Sequence, residues 1–191
     1  MATDDDSPRG GVRLSRTRTV ETIGHLWIYA GYIEGIIGEP VSGDVVDVMA
    51  PNGRFYARGF YNPASKIRVR ILTFEDEPIT EQFWRRRLAQ AMRLRERIVS
   101  GTDAYRLIYG EADLLPGLIV DRYHEVLVMQ TLSSGMNRRK DLLADVLCQE
   151  SGVTQVYLRN DAKSRTLEGL PLEKGFLQGN GATMIEIDRK S

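Results

Sequence analysis

The chain has 191 residues, and its 26 basic side chains balance 26 acidic ones, so its formal net charge is zero. This length accommodates one large domain or two small ones, and the 42% hydrophobic and 27% charged residues are ordinary for a globular protein. No stretch approaches the length of apolar sequence that spans a membrane, and the acidic N-terminus lacks the apolar core of a signal peptide. A single cysteine, Cys148, excludes a disulfide framework. These features predict a cytoplasmic protein.

The zero net charge conceals an uneven distribution of charges along the chain. Residues 7–74 carry nine basic and five acidic side chains, whereas residues 103–191 carry 11 basic and 13 acidic ones. Arginine strongly outnumbers lysine, and its planar guanidinium suits phosphate groups and guanine edges. A GC-rich genome that favours arginine codons explains the same bias equally well. The charges therefore support a nucleic-acid partner only together with other features.

The first part of the chain has the patterning of β-strands. Residues 1–11 end in the sequence SPRGG and predict a disordered tail, and short strands separated by turns over residues 12–76 predict a small β-barrel. In the clearest strand, alternation places Lys66, Arg68 and Arg70 on one face. Two interpretations stay open for this face. It contacts phosphates beside aromatic residues that stack on bases, or it is a solvated face over an aromatic core.

The second part, residues 77–191, is predicted to be a helix followed by a β-β-α-β-β unit. The apolar periodicity predicts a helix from Glu81 to about Val99, and Asn137 is the predicted cap of a second helix that extends to about Glu150. Strands are predicted at residues 106–109, 118–123, 126–131, 155–159 and 183–188. The chain as a whole is therefore predicted to have an α+β fold.

Candidate catalytic and metal-binding residues are sparse. His25 and His124 stand too far apart in sequence for a zinc-type site, and Cys148 has the pattern of a small, partly buried helical side chain. Glu111 and Asp113 flank a turn, where paired carboxylates could perform acid–base chemistry in a hydrolase, although carboxylates in turns commonly cap the backbone. The residues alone predict no catalytic constellation and no metal site.

Three long blocks carry a resemblance to a known family. They are DVVDV at residues 44–48, ARGFYNPASKIRVRI at residues 57–71 and YRLIYGEADLLPGLIVDRY at residues 105–123. Shorter matches are HLWIY at residues 25–29, RND at 159–161 and RTLEGL at 165–170. The chain resembles the S-adenosylmethionine-dependent 23S ribosomal RNA cytosine-5 methyltransferases over about residues 12–188. It departs from the family pattern at Leu26, where proline is usual, and at Leu114, where glycine is usual.

The resemblance implies a PUA domain that binds RNA, followed by a β-β-α-β-β linker domain and a Rossmann-like methyltransferase domain. We expect the sequence given to end near the end of the linker domain, so that S-adenosylmethionine belongs to the full-length family and no cofactor or catalytic residue is assigned to this chain. The expected partners are ribosomal RNA and a methyltransferase domain, attached or separately encoded. The alternative is a module for dimerisation or for docking such a domain.

The resemblance also distributes roles among the polar residues. The expected RNA contacts are Arg13, Arg16, Arg18, Arg58, Lys66, Arg68 and Arg70. Trp27 and Tyr61 are either core residues or stacking platforms for bases. The residues expected to brace loops or to face a further domain are Arg106, Glu111, Asp113, Arg122, Arg159, Asp161, Arg165 and Glu168.

Overall fold

The structure is a computed structural model that describes residues 7–16 and 25–181. The predicted strand at 183–188 and Arg18 lie outside the described residues. The strands of the first sheet are β1 Gly11–Leu14, β2 Trp27–Tyr29, β3 Ile33–Ile37, β4 Val45–Met49, β5 Phe55–Tyr61 and β6 Ile67–Thr73. They are arranged in the order β2-β6-β5-β4-β1-β3, with β1 parallel to β4 and the other pairs antiparallel. A short 3-10 helix, Ala30–Tyr32, connects β2 to β3.

The second sheet has five strands and carries three helices. The elements are α1 Glu81–Ile98, β7 Ala104–Tyr109, β8 Leu118–Tyr123, β9 Val126–Thr131, α2 Ser134–Arg138, α3 Lys140–Ser151, β10 Gln155–Asn160 and β11 Glu173–Gln178. The strand order is β11-β10-β9-β8-β7, and β9 and β10 are parallel because α2 and α3 form the crossover between them. Two further 3-10 helices are Gly110–Asp113 and Lys163–Glu168. The predicted α+β fold is confirmed.

Helix α1 forms where the apolar periodicity predicts it. Phe83, Trp84 and Leu88 are buried on one face, as expected for an amphipathic helix. Thr80 occupies the N-cap position, although its side chain makes no capping hydrogen bond. Arg95 interrupts the apolar face and is nevertheless buried, because the carboxylate of Asp113 binds its guanidinium.

The structure differs from the prediction at the second helix. Asn137 does not begin this helix but lies inside α2, and the side chain of Ser133 accepts a hydrogen bond from the backbone amide of Met136 as its cap. β11 was not predicted, and it pairs antiparallel with β10. β7 contains the strand predicted at residues 106–109, so the described order is three strands, a helical pair and two strands, where the predicted unit had two strands before its helix. No helix in the described parts of the chain is long and apolar enough to cross a membrane.

A hydrophobic core joins the two sheets through the first helix. One cluster lies within the first sheet and includes Val48 and Ile71. The larger cluster contains the apolar residues of α1 and the second sheet, and Phe60 of β5 belongs to it as well. The Phe60 ring stacks on Trp84 with centroids 5.9 Å apart, so the two halves of the chain share one packed interior.

Candidate functional site

The predicted alternation of β6 is present, but the second half of the chain covers part of its cationic face. Val69 and Ile71 are buried in the core of the first sheet. Arg70 points to the opposite side, where its strand partner is Phe60, a residue of the shared core. The face that alternation assigns to cations is therefore partly an interface within the molecule.

Arg70 is held by carboxylates from the second half of the chain. Its guanidinium lies 2.9 Å from Glu168 Oε1 and 3.4 Å from Glu111 Oε1. Glu168 is 5% exposed and also accepts hydrogen bonds from the side chains of Asn62 and Ser65. We call these five residues the domain junction. A buried carboxylate with this many donors is positioned firmly, because each lone pair that loses water gains a partner.

The two candidate stacking residues lie in different environments. The indole Nε1 of Trp27 donates a 2.8 Å hydrogen bond to Glu111, and the guanidinium of Arg70 lies 5.8 Å from the Trp27 ring. Tyr61 is 3% exposed in the core of the first sheet. Trp27 is therefore part of the contact between the two halves, and Tyr61 packs as a core residue.

Arg58 is also engaged within the chain. It is buried on β5, and its guanidinium binds Asp47 at 2.7 Å and Asp76 at 2.9 Å and donates to the backbone carbonyl of Glu77. Arg68 donates to the backbone carbonyls of Asn62 and Pro63. The Arg58 contacts brace the first sheet against the acidic segment that precedes α1, and the Arg68 contacts hold the turn between β5 and β6.

The residues expected to brace the second half form several pairs. Arg95 and Asp113 make two parallel bonds of 2.8 and 2.6 Å, a bidentate geometry that fixes the turn after β7. Further contacts join Arg106 to Asp121, Arg159 to Asp161 at 3.7 Å, and Arg122 to the backbone carbonyl of His124. Sequence reasoning had not identified Arg95, whose position within an apolar helix face is the signal that could have found it.

Arg165 is a fully buried anchor in the second half. Its guanidinium donates to the backbone carbonyls of Thr131 and Pro171 and to the Asn137 side chain, and burial lowers its pKa. Glu173 lies 3.6 Å away. Burial raises the pKa of Glu173, but hydrogen bonds from Lys140 and Asn160 outweigh it, so the pKa lies below its ordinary value. This network fixes the loop that leads to Glu168.

Other cations of the first sheet are exposed. Arg13 on β1 lies beside Met49 on β4, and the amide of the next residue, Ala50, donates to the carbonyl of Arg54. We call the exposed set the basic rim: Arg13, Arg16, Arg54 and Lys66. Arg54 lies at the start of β5, and Lys66 lies beside the opposite end of that strand. Within the described ranges 7–16 and 25–181, none of the four forms an ion pair with a carboxylate. Arg54 was not among the predicted contacts.

Aromatic residues lie between two members of the basic rim, Arg16 and Lys66. The carbonyl of Tyr32 accepts a bond from the amide of Ser15, beside Arg16, and the amide of Ala30 donates to the carbonyl of Lys66. The rings of Tyr29 and Tyr32 meet edge to face with centroids 5.7 Å apart. This part of the rim therefore combines cations, which attract phosphates, with neighbouring aromatic rings.

The candidate acid–base pair is used structurally. Glu111 binds Trp27 and Arg70, and both oxygens of Asp113 bind Arg95. Among the residues that the structure describes, no group of three or more His, Cys, Asp or Glu side chains is arranged to hold a metal ion.

Comparison with known proteins identified a family model and curated relatives that are similar in sequence to this chain. Residues 22–74 match the family model of the PUA-like domain. We call this segment the PUA-like domain after the match. The chain is 41% identical over 158 residues to the ribosomal RNA large subunit methyltransferase I of Shewanella amazonensis, a match that covers 81% of the chain and 40% of the relative. It is 38% identical over 159 residues to the protein of the same name from Serratia proteamaculans, covering 82% and 40%. The chain thus spans about 40% of the length of these curated relatives.

Solved structures share the fold at low sequence identity. One is a Streptococcus mutans protein whose assignment as a SAM-dependent methyltransferase is itself an inference; its TM-score is 0.73 at 13% identity, over 90% of this chain and 44% of that one. The other is SMU.776, likewise assigned to the methyltransferases by inference and complexed with SAH, with a TM-score of 0.72 at 13% identity, over 91% and 43%. At these identities the likeness concerns the fold alone.

Proposed function

We propose that this chain is the RNA-binding and substrate-positioning part of a ribosomal RNA methyltransferase that acts on cytosine C5. The basic rim of the PUA-like domain carries the proposal, because its four cations lack carboxylate partners in the described ranges while most other arginines named above are paired. The relatives named ribosomal RNA methyltransferases support the choice of RNA as the partner. The blocks at residues 57–71 and 105–123 support the cytosine-5 class.

The paired arginines have a different role in this proposal. Arg58 and Arg70 hold the PUA-like domain in a fixed position against the second half of the chain, and the basic rim contacts phosphates. Phosphate contacts set the register and orientation of a nucleic acid without reading its sequence. A rigidly mounted rim would therefore present the RNA at a constant angle to whatever performs the chemistry.

The described residues do not fit S-adenosylmethionine, which carries a positively charged sulfonium. Two grooves open beside the turn Gly110–Asp113, one lined by Arg93 and Arg97 and the other by Glu111. Two guanidinia disfavour a cation in the first, and the Glu111 carboxylate is already bound to Arg70 and Trp27. We derive no step of methyl transfer from these residues and assign the cofactor to a further domain of the full-length family.

A docking role is the second candidate function. β3 is an edge strand of the first sheet, and the side chains of Ile36 and Ile37 on it, together with the nearby Val41, are strongly exposed. An exposed edge with apolar side chains offers backbone and hydrophobic contacts to another chain. A second copy or a separately encoded domain could pair there without involving the basic rim.

RNA binding tests the proposal directly. We expect the variant Arg13→Gln/Arg16→Gln to bind a 23S ribosomal RNA fragment more weakly than the wild type, with a log–log salt dependence less steep by about one per lost phosphate contact. The measurement is fluorescence anisotropy over a range of salt concentrations.

The matched control is Arg159→Gln/Lys174→Gln. It removes the same amount of charge from β10 and β11 of the second sheet, away from the basic rim. Equal affinities and salt slopes for the wild type and the rim variant would reject the rim as the RNA contact. Concentration-dependent dimerisation in that case would favour the docking role.

A further inference from the structure

A β-bulge in β7 places an aromatic ring beside an arginine on the outer edge of the second sheet. Arg106 pairs with Asp121 of β8, and the next paired residue on β7 is Ile108, which lies opposite Val120. Leu107 is therefore the extra residue of the bulge. In a regular strand of this sequence, Arg106 and Tyr109 would point to opposite faces, because they are three residues apart and side chains alternate with a period of two. The bulge brings both to the solvent side, where their side chains meet.

Tyr109 has the geometry of a stacking platform. It is 54% exposed, unusual for so large an aromatic side chain, and the guanidinium of Arg106 lies 5.1 Å from its ring centroid. The backbone amide of Tyr109 donates a 2.6 Å bond to Asp113, which fixes the end of the strand. A base that stacked on the Tyr109 ring would contact an aromatic surface whose orientation is already fixed. The neighbouring Arg106 guanidinium would add a cation–π contribution.

A cationic groove lies on the other side of the same turn. It has a volume of about 280 Å³, and Arg93, Leu94 and Arg97 of α1 line it together with Leu114. Arg93 and Arg97 are four residues apart, so their Cβ atoms lie about 6 Å apart on one helix face. Over residues 7–16 and 25–181, neither forms an ion pair. Asp113 also lines the groove, but Arg95 compensates its charge, so the groove is positive.

The turn Gly110–Asp113 connects these features to the PUA-like domain. Ala112 lines both the cationic groove and the second groove, of about 290 Å³, which Tyr109 also lines. Glu111, in the same turn, reaches Trp27 and Arg70 at the domain junction. Leu114 ends the turn with φ of 57°, in the left-handed region that favours glycine. We call the two grooves, which share Ala112 as a lining residue and lie beside the domain junction, the strip.

We propose that this strip is a second RNA site, which holds a single-stranded segment by stacking one base on Tyr109 and by binding the adjacent phosphates with Arg93 and Arg97. The site rests on the proposed RNA-binding function and adds to it a contact outside the PUA-like domain. Leu94 and Leu114 supply an apolar floor for a ribose. A single strand fits better than a duplex, because only unpaired bases leave a face free to stack on a protein ring.

The test uses the full chain and a labelled single-stranded RNA of about 12 nucleotides, within the range of known single-strand site sizes. We expect Tyr109→Ala to lower the affinity by about five- to 150-fold with an unchanged salt slope, because it removes stacking and no charge. Tyr109→Phe retains the ring and is expected to bind as the wild type does. Arg93→Gln/Arg97→Gln is expected to lower the affinity and to make the salt slope shallower by about 1.4.

The control variant is again Arg159→Gln/Lys174→Gln, which changes the net charge by the same amount. Arg159 and Lys174 pair between β10 and β11, and β11 lies four strand spacings, about 19 Å, from β7. If the wild type binds RNA and the Tyr109 and Arg93/Arg97 variants match it, the second site is refuted while the proposed function stands. If the wild type binds neither this RNA nor the ribosomal fragment, the proposed function fails and the site fails with it.

Discussion

Glu168 connects the two halves of the chain, and one of its partners is Arg70, which was expected to contact RNA. Its carboxylate accepts hydrogen bonds from Asn62 and Ser65 and pairs with Arg70, all of which belong to the PUA-like domain or its edge. Both members of the ion pair are largely removed from water, with side-chain exposures of 13% for Arg70 and 4% for Glu168. Removing one partner of such a pair leaves the other charge buried and uncompensated.

The variant Glu168→Gln tests this arrangement at nearly constant volume. We expect it to lower the free energy of unfolding by about 3 kcal/mol, because Arg70 then keeps only the longer contact to Glu111. Urea denaturation followed by circular dichroism measures the change. Glu81→Gln, which breaks the exposed pair with Arg85, should cost far less, because exposed ion pairs contribute little to stability. Equal losses in the two variants would show that the junction contributes no more than a surface pair.

The sequence predicted the direction of Arg70 but not its partners. Alternation along β6 suffices to place Arg70 opposite Ile71, since it depends only on local backbone geometry. Which residue covers that face depends on Glu168, 98 positions away, and nothing in the local pattern encodes such a contact. Residues of the basic rim could be identified from sequence as charged, but their lack of carboxylate partners in the described ranges is visible only in three dimensions.

At the scale of elements, strand and helix types could be predicted, while irregularities within them could not. The bounds of α1 follow from its apolar period, and β8 and β9 have the residues predicted for them. The bulge at Leu107 and the separation of α2 from α3 arise from pairing and packing with distant elements. The bulge matters for function because it determines the face on which Tyr109 lies.

Helix α2 approaches the first sheet so closely that only glycine fits at one position. A Cβ atom on Gly135 would lie 2.1 Å from Cγ of Phe60, whose ring is held between Trp84 and the Arg139 guanidinium. We expect Gly135→Ala to destabilise the protein by about 1–3 kcal/mol through overpacking, measured by the thermal unfolding midpoint. Gly31→Ala is the matched control, because a Cβ there meets no atom within 4 Å. A midpoint for Gly135→Ala equal to that of the control would contradict the close packing.

At the scale of the whole molecule, the shared core makes the PUA-like domain and the second half mutually dependent. Phe60, Val45 and Leu72 belong to the first sheet and yet pack in the cluster of α1 and the second sheet. Arg138 adds a 2.7 Å bond to Asp44 on the same side. Interfaces between loosely associated domains are more polar and permit relative motion. A shared apolar interior instead favours unfolding of both sheets in one transition.

Native-state hydrogen exchange distinguishes one cooperative unit from two. We expect the slowest amides of β4 and of β8 to report the same opening free energy, since opening either sheet exposes the core that both share. Phe60→Leu, which removes ring contacts at the centre of this core, should lower both values equally, by about 1–2 kcal/mol. The control is Val12→Ala, a truncation in the cluster confined to the first sheet, which should lower both values if unfolding is cooperative. A loss confined to β4 in either variant would show that the two halves open independently, and a fixed angle between the basic rim and the rest of the chain would then have no basis.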